Sequence, residues 1–185
     1  ERGMPVFQYR TEPAEDISLP AEVSDAYIEF TSALVRATSI EDLAEDLTAG
    51  HSLMRNLECR SVQERFVGFA AKYLQHLRVV LARAADPDQR AMAAYIIGYA
   101  ADKKAVIDDL QGGLRDPAPE VRLNAARALR AIAVLGRDKR FEIVIQATWF
   151  VEMLNSVVLA DRLEGSRTLN LMFDTLSEGT LAQIK

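Results

Sequence analysis

Asp116-Pro117-Ala118-Pro119-Glu120-Val121-Arg122-Leu123-Asn124-Ala125-Ala126-Arg127-Ala128-Leu129 is the stretch whose reading decides the fold. Asp116 and Pro117 stop one helix and nucleate the next, because proline cannot continue a helix but suits its first turn. Val121, Ala125, Ala128, Leu129 and Ile132 then recur at i, i+4, i+7, i+8 and i+11, the stripe of a helix with one buried face. Ala125-Ala126 allow a neighbouring helix to come near. The phrase repeats. Arg122-Leu123-Asn124-Ala125-Ala126-Arg127-Ala128-Leu129 returns at an offset of 40 as Arg162-Leu163-Glu164-Gly165-Ser166-Arg167-Thr168-Leu169. Arg90, with Ala93-Ala94 and Ile97, fits the same frame at an offset of 32. Helical units at such periods build a stacked array in which each unit borrows its neighbour's apolar face.

Outward from this phrase the chain divides readily. Helices are predicted over 87–101 and 103–114 as one pair, and over 118–135 and 139–155 as a second. A third begins with 159–176 and would finish with a helix from Ser177 to Lys185. Upstream, Val23, Tyr27, Phe30 and Leu34 step along one face from Pro20 to about Ala37. Ser39-Ile40-Glu41-Asp42 resembles a capping box, and a helix is expected after it with Leu43, Leu47, Met54 and Leu57, interrupted near Gly50. Ser61-Val62-Gln63-Glu64 reads as a second capping box. It opens a segment to Ala84 with Phe66, Phe69, Tyr73, Leu77, Val80 and Leu81 inward. Residues 1–20 hold Pro5, Pro13 and Pro20 and no helical period, and are expected to form an extended N-terminal arm with Val6, Phe7 and Tyr9 docking on the body. Residues 21–185 are then a single helical-repeat domain, with 21–84 as degenerate repeats or a cap and 86–185 as regular repeats. No β-alternation of useful length occurs, so the fold class is all-α.

Composition agrees with that class and removes others. The chain has 185 residues with 49% apolar but only 7% aromatic content, so its core is mostly aliphatic and alanine. Net charge is −5 and neither half carries the basic excess that phosphate-backbone binding needs, which argues against nucleic acid. No apolar run reaches the ~20 residues of a membrane span. The single cysteine, Cys59, rules out an internal disulfide framework and reads as a small buried hydrophobe. Cytoplasm is favoured, and a periplasm reached after removal of a leader is equally consistent with one thiol.

The segment from Asp86 onward resembles HEAT-like repeats, most closely the short variety rich in "DP…VR…AA..AL". The resemblance covers about half the chain and implies an α-α superhelix, a solenoid of antiparallel helix pairs. It also implies that Arg122 bridges to an aspartate at an adjacent turn, such as Asp86 or Asp116. The repeat at Asp161-Arg162 lacks the Asp-Pro turn, as an atypical terminal unit would. Some proteins similar in repeat style are bilin lyases or isomerases, others excise alkylated DNA bases, and others belong to larger enzyme complexes. No residue here marks a tetrapyrrole pocket. His51 and His76 are 25 positions apart with no His-Glu pair, so the metal pattern of HEAT-like hydroxylases is missing. No phosphate loop, nucleophile elbow or paired cysteine appears, and neither a catalytic residue nor a metal ligand nor a cofactor is assigned.

What remains is a surface. On a helix over 139–155, Ile143, Ala147, Phe150, Val151, Leu154 and Val158 would face the core. Ile145, Trp149 and Met153 would face outward at i, i+4, i+8, interleaved with Glu142, Gln146 and Glu152. An aromatic–aliphatic strip framed by polar groups is how an interface anchor looks. Ile145, Trp149, Met153, Glu142 and Gln146 are therefore the candidate partner-binding residues, on the groove lined by second helices. The acidic residues Glu41, Asp42, Glu45 and Asp46 read as a helix start. Asp108-Asp109 diverge by ~100° on a helix and form no converging pair. Gly112-Gly113 read as a helix end, and Arg137, Lys139 and Arg140 as a solvated turn. A non-enzymatic scaffold for a protein partner is the function expected, with a homodimer through the C-terminal repeat as one further arrangement.

Overall fold

The computed structural model describes residues 7–173. Among these residues seven α-helices run in the order α1 (Ala21–Ser39), α2 (Leu57–Arg83), α3 (Pro87–Ile97), α4 (Lys104–Gly113), α5 (Pro119–Leu135), α6 (Thr148–Met153) and α7 (Leu159–Phe173). One two-residue hairpin, β1 (Glu45–Asp46) with β2 (Leu53–Met54), is the only sheet among the described residues. The chain is an all-α helical repeat protein. Within it α3 packs on α5 and α5 on α7, while α2 bridges α1, α3 and α4. In the deciding stretch Val121, Ala125, Leu129 and Ile132 are buried and Ala128 is half-buried. The small residues do permit close approach: a Cβ at Gly98 would stand 2.7 Å from Ala128 Cβ.

Consecutive units are joined by buried forks. Arg90 on α3 and Asp116 in the α4–α5 turn are both fully buried, with Nε–Oδ2 and Nη2–Oδ1 distances of 2.9 Å. Arg122, on α5, meets Asp161 of α7 in the same bidentate way at 3.0 and 2.9 Å. In each case the remaining nitrogen, Nη1, donates to two carbonyls six and five residues upstream. These are Ala84 and Ala85 for Arg90, and Asp116 and Pro117 for Arg122. One guanidinium therefore ties its own turn to the following unit. The partner expected for Arg122 is thus corrected: it reaches forward to Asp161, and Asp116 serves Arg90. The two Asp-Pro dipeptides are also not equivalent. Asp86 caps its own helix through Asp88 N, and Pro87 begins α3, whereas α5 begins two residues beyond Pro117, at Pro119. In the last unit the carboxylate has moved into the helix as Asp161. Ser156, six residues before Arg162 as Asp116 is before Arg122, donates to it at 2.5 Å. The missing Asp-Pro turn is explained by this relocation.

Upstream two expectations are corrected. No helix spans 40–56 and Ser39 is no cap. Glu41 takes a left-handed backbone (φ 57°) after α1, and the segment then folds into the β1–β2 hairpin. Glu41, Asp42, Glu45 and Asp46 therefore do not form a helix start. Glu45 meets Arg127, Asp42 accepts from Asn56, and Asp46 accepts from Thr48. The following helix begins at Leu57, capped by Asn56 through Cys59 N at 3.1 Å, four residues ahead of Ser61. Asn at the cap and a buried Cys59 explain why the earlier start wins. The helix predicted from Ser177, and the end of the one expected over 159–176, lie outside the described residues.

Residues 7–20 run without helix along the turns that carry the forks. Glu15 N donates to Arg83 O and Ala85 N to Glu15 O, so the strap pairs with the end of α2. Further along, Arg10 joins Asp116 and donates to Leu81 O at 2.7 Å. Tyr9 places its ring 4.5 Å from the Arg122 guanidinium and its hydroxyl 3.2 Å from Ser156 Oγ. Phe7 is buried. The strap thus touches both forks. Val6, expected to dock with Phe7 and Tyr9, lies outside the described residues.

Breaking a fork from one side leaves a buried charge without its partner. Asp161→Asn is expected to cost on the order of 3–5 kcal/mol in urea unfolding. Adding Ser156→Asp to that variant returns a carboxylate to the Asp116-like position, and should recover a measurable part. At the α3–α5 contact, Gly98→Ala drives a methyl against Ala128 and should cost about 1–3 kcal/mol. Gly68→Ala, where an added Cβ meets nothing within 4 Å, should stabilise α2 by roughly 0.5–1 kcal/mol. Thermal or urea melts of the two variants read opposite signs.

Candidate functional site

The helix expected over 139–155 does not form as one piece. Asp138 caps a single 3-10 turn (Lys139–Phe141), Glu142 turns left-handed at φ 47°, and α6 begins only at Thr148. Between them the burial alternates: Val144 exposed, Ile145 buried, Gln146 exposed, Ala147 buried. This is the period of an extended segment, and the β-branched run Ile143-Val144-Ile145 favours it over helix. Of the candidate residues, Ile145 (7% exposed) and Met153 (0%) belong to the core. Trp149 is half-buried, while Glu142 and Gln146 are exposed. Glu142 pairs with Lys104 at 3.3 Å and is not among the residues lining the cleft of Trp149. The outward strip of three is therefore corrected to Trp149 alone, with Gln146 beside it. On the face expected inward, Ala147 and Phe150 are buried but Leu154 is exposed.

Trp149 and Gln146 line a cleft of about 410 Å³ together with Arg10, Asp108, Gln111, Gly112 and Arg115. Three parts of the chain meet there: the strap, the C-terminal half of α4, and the extended segment leading into α6. Asp108, Gln111, Gly112 and Arg115 follow one another at helical spacing, so they present one edge to the cleft. Gln111 is held on both sides: its amide donates to Asp108 Oδ1 at 3.3 Å, and its Oε1 accepts from Gln146 N at 2.8 Å. That second bond pins the extended segment to α4. The Arg115 guanidinium lies over the indole, 5.1 Å from its centroid, and Nε donates to Gln8 O at 3.1 Å. Arg10, Gln111 and Arg115 carry no sequence signal for this site, since the strap brings Arg10 from far away in the chain. A Cβ at Gly112 would meet nothing within 4 Å, so the cleft floor is open at that point.

A second cleft, about 310 Å³, lies on the side of the first helices. Tyr27, Phe30 and Leu34 of α1 form one wall, and Leu123, Asn124, Arg127 and Arg130 of α5 the other. Its polar groups already serve one another. Arg127 meets Glu45, Arg130 donates to Glu164 at 2.6 Å, and Asn124 donates to the Tyr27 hydroxyl at 3.1 Å. The Tyr27 hydroxyl is pushed above its ordinary range by burial. Behind this cleft the hairpin loop is tied down by His51, whose ring lies 5.0 Å from that of Tyr99. Lys103 Nζ stands 3.2 Å from His51 Nδ1 and donates to Gly98 O at 2.8 Å. Burial, and then the nearby ammonium, lowers the His51 pKa to about 4, and burial lowers that of Lys103 to about 8.

The other residues singled out in the sequence stay apart from both clefts' chemistry. Asp109 pairs with Arg78 at 2.8 Å, Arg140 pairs with Asp138, and Cys59 is buried. Gly113 ends α4. Among the described residues no group of His, Cys, Asp or Glu is arranged to hold a metal ion, and no helix is long and apolar enough to cross a membrane. Residues 74–149 match the family model described as HEAT repeats. No curated protein and no solved structure matches the chain.

The His51 contact predicts an acid limb in stability. The unfolded imidazole takes a proton near its ordinary pKa of 6.5 and the folded one only near 4. Stability contributed by the docked neutral ring is complete above 6.5 and is lost as pH falls from there toward 4. Urea midpoints should drop across that window, and His51→Gln should flatten the part of the drop above the carboxylate range.

Proposed function

We propose that this chain, whose residues 74–149 match HEAT repeats, binds a protein partner in the α4–α6 cleft, since HEAT repeats generally serve as scaffolds for other proteins. The observation that carries this reading is Trp149: the only tryptophan of the chain, half-buried, stacked under Arg115 and rimmed by the amides of Gln111 and Gln146. Tryptophan and arginine are the residues that most often dominate binding energy, and a rim of amides supplies orientation. The cleft lies between second helices of successive pairs, so it keeps the groove inferred from the repeat pattern while changing its residues. Arg115, Gln111 and Arg10 replace Ile145 and Met153 as the partners of Trp149 and Gln146. Glu142 falls outside the contact.

Two variants separate this role from a structural one. Trp149→Ala is expected to weaken partner binding by about 2 kcal/mol or more with helical content unchanged. Gly112→Leu adds a side chain to the open floor and removes no contact, so it should block binding and leave the melting temperature nearly unmoved. Calorimetric titration with circular dichroism on both variants checks the outcome. Full affinity in folded Gly112→Leu places the partner elsewhere.

A further inference from the structure

The two clefts hold arginines in opposite states. In the α1–α5 cleft Arg127 and Arg130 each face a carboxylate, Glu45 and Glu164. In the α4–α6 cleft Arg115 has no carboxylate partner among the described residues. Its Nε is taken by the Gln8 carbonyl and its face by Trp149, and the terminal nitrogens have no partner among the described residues. Beside it, Arg10 shares the single carboxylate of Asp116 with Arg90, and the buried Nε of Arg10 has no hydrogen-bond partner among the described residues. Asp108, the one acid among the described residues lining this cleft, precedes Arg115 by about two helical turns, about 10 Å at 1.5 Å per residue. Positive charge is therefore in excess at one end of the cleft, on a chain whose net charge is −5.

A half-buried guanidinium with free donors gains most from an acceptor that is charged and planar, because two parallel N–H···O bonds then form at once. We infer that the Arg115 end of this cleft is a carboxylate site, taking an Asp or Glu side chain of a partner segment whose adjacent apolar residue lies on Trp149. This rests on the reading of the cleft as the docking site and adds the chemistry of what docks. Asp108 at the far end repels a second acid, so the segment enters with its carboxylate toward the strap. A polyanion fits less well, since one free fork is offered and the rest of the chain repels negative charge.

The test is selection from a random dodecapeptide library displayed on phage, against the wild-type chain and against Arg115→Glu and Arg115→Gln. Wild-type selections should share an Asp or Glu next to a Leu, Phe, Tyr or Trp, and Arg115→Glu should select Lys or Arg at that position instead. A selected acidic peptide should bind Arg115→Gln roughly tenfold to hundredfold more weakly, and so should its Glu→Gln version on the wild type. Circular dichroism establishes that each variant is folded, and Arg115→Gln keeps an amide donor near Gln8. Peptides that depend on Trp149 and on an open Gly112 but carry no acid, or that bind Arg115→Gln undiminished, overturn the carboxylate and leave the cleft standing. Peptides indifferent to Trp149→Ala and Gly112→Leu, or no enrichment at all, overturn the cleft and the carboxylate together.

Discussion

A buried arginine that reaches from one unit to the next is the interaction on which the rest of this molecule depends. Arg90 with Asp116 and Arg122 with Asp161 are both removed from water, and each guanidinium also satisfies two carbonyls at its own turn. A charge in that position is tolerable only if every donor is used and the opposing carboxylate stays in register. The forks therefore do more to specify how successive units are aligned than to add net stability. Hydrophobic stripes such as Val121, Ala125, Leu129 and Ile132 provide the driving force for stacking but would accept some sliding.

The strap converts this internal register into an external surface. Its Tyr9 and Arg10 are anchored on the two forks, so the backbone between Gln8 and Arg10 runs past the end of α4 at a set height. That height decides where Arg115 can lie, because Gln8 accepts its Nε and Trp149 takes its face. The candidate site is thus coupled to the repeat contacts through a few named hydrogen bonds. A change at Asp116 would be felt in the cleft through Arg10 as well as in the packing of α3.

Legibility of the sequence followed the range of the interactions involved. Helices α3, α4 and α5 fall within a few residues of where periodicity and proline placed them, since helix stripe and breaker are local signals. The hairpin at 45–54 lies where Leu43, Leu47 and Met54 mimic a helical spacing. What prevents a helix there is docking: Glu45 meets Arg127 and His51 stacks on Tyr99, both from distant repeats. The 139–155 segment carried its own warning in the alternation of Val144, Ile145, Gln146 and Ala147. A stripe at i, i+4, i+8 can be drawn through Ile145, Trp149 and Met153 whatever the backbone does, and here it joined two core residues to one surface residue.

By itself the sequence determined the repeat: its period, its helical character, the small residues that let α3 and α5 touch, and the arginine that recurs in each unit. These are properties of neighbours along the chain. Only the tertiary structure decided which aspartate each arginine takes, where the first residues of the chain lie, and which side chains surround Trp149. Those depend on groups brought together from tens to more than a hundred positions apart, as Arg90 and Arg10 both are with Asp116. Complementary charge and shape select such partners after the chain has stacked, and no local pattern records the choice.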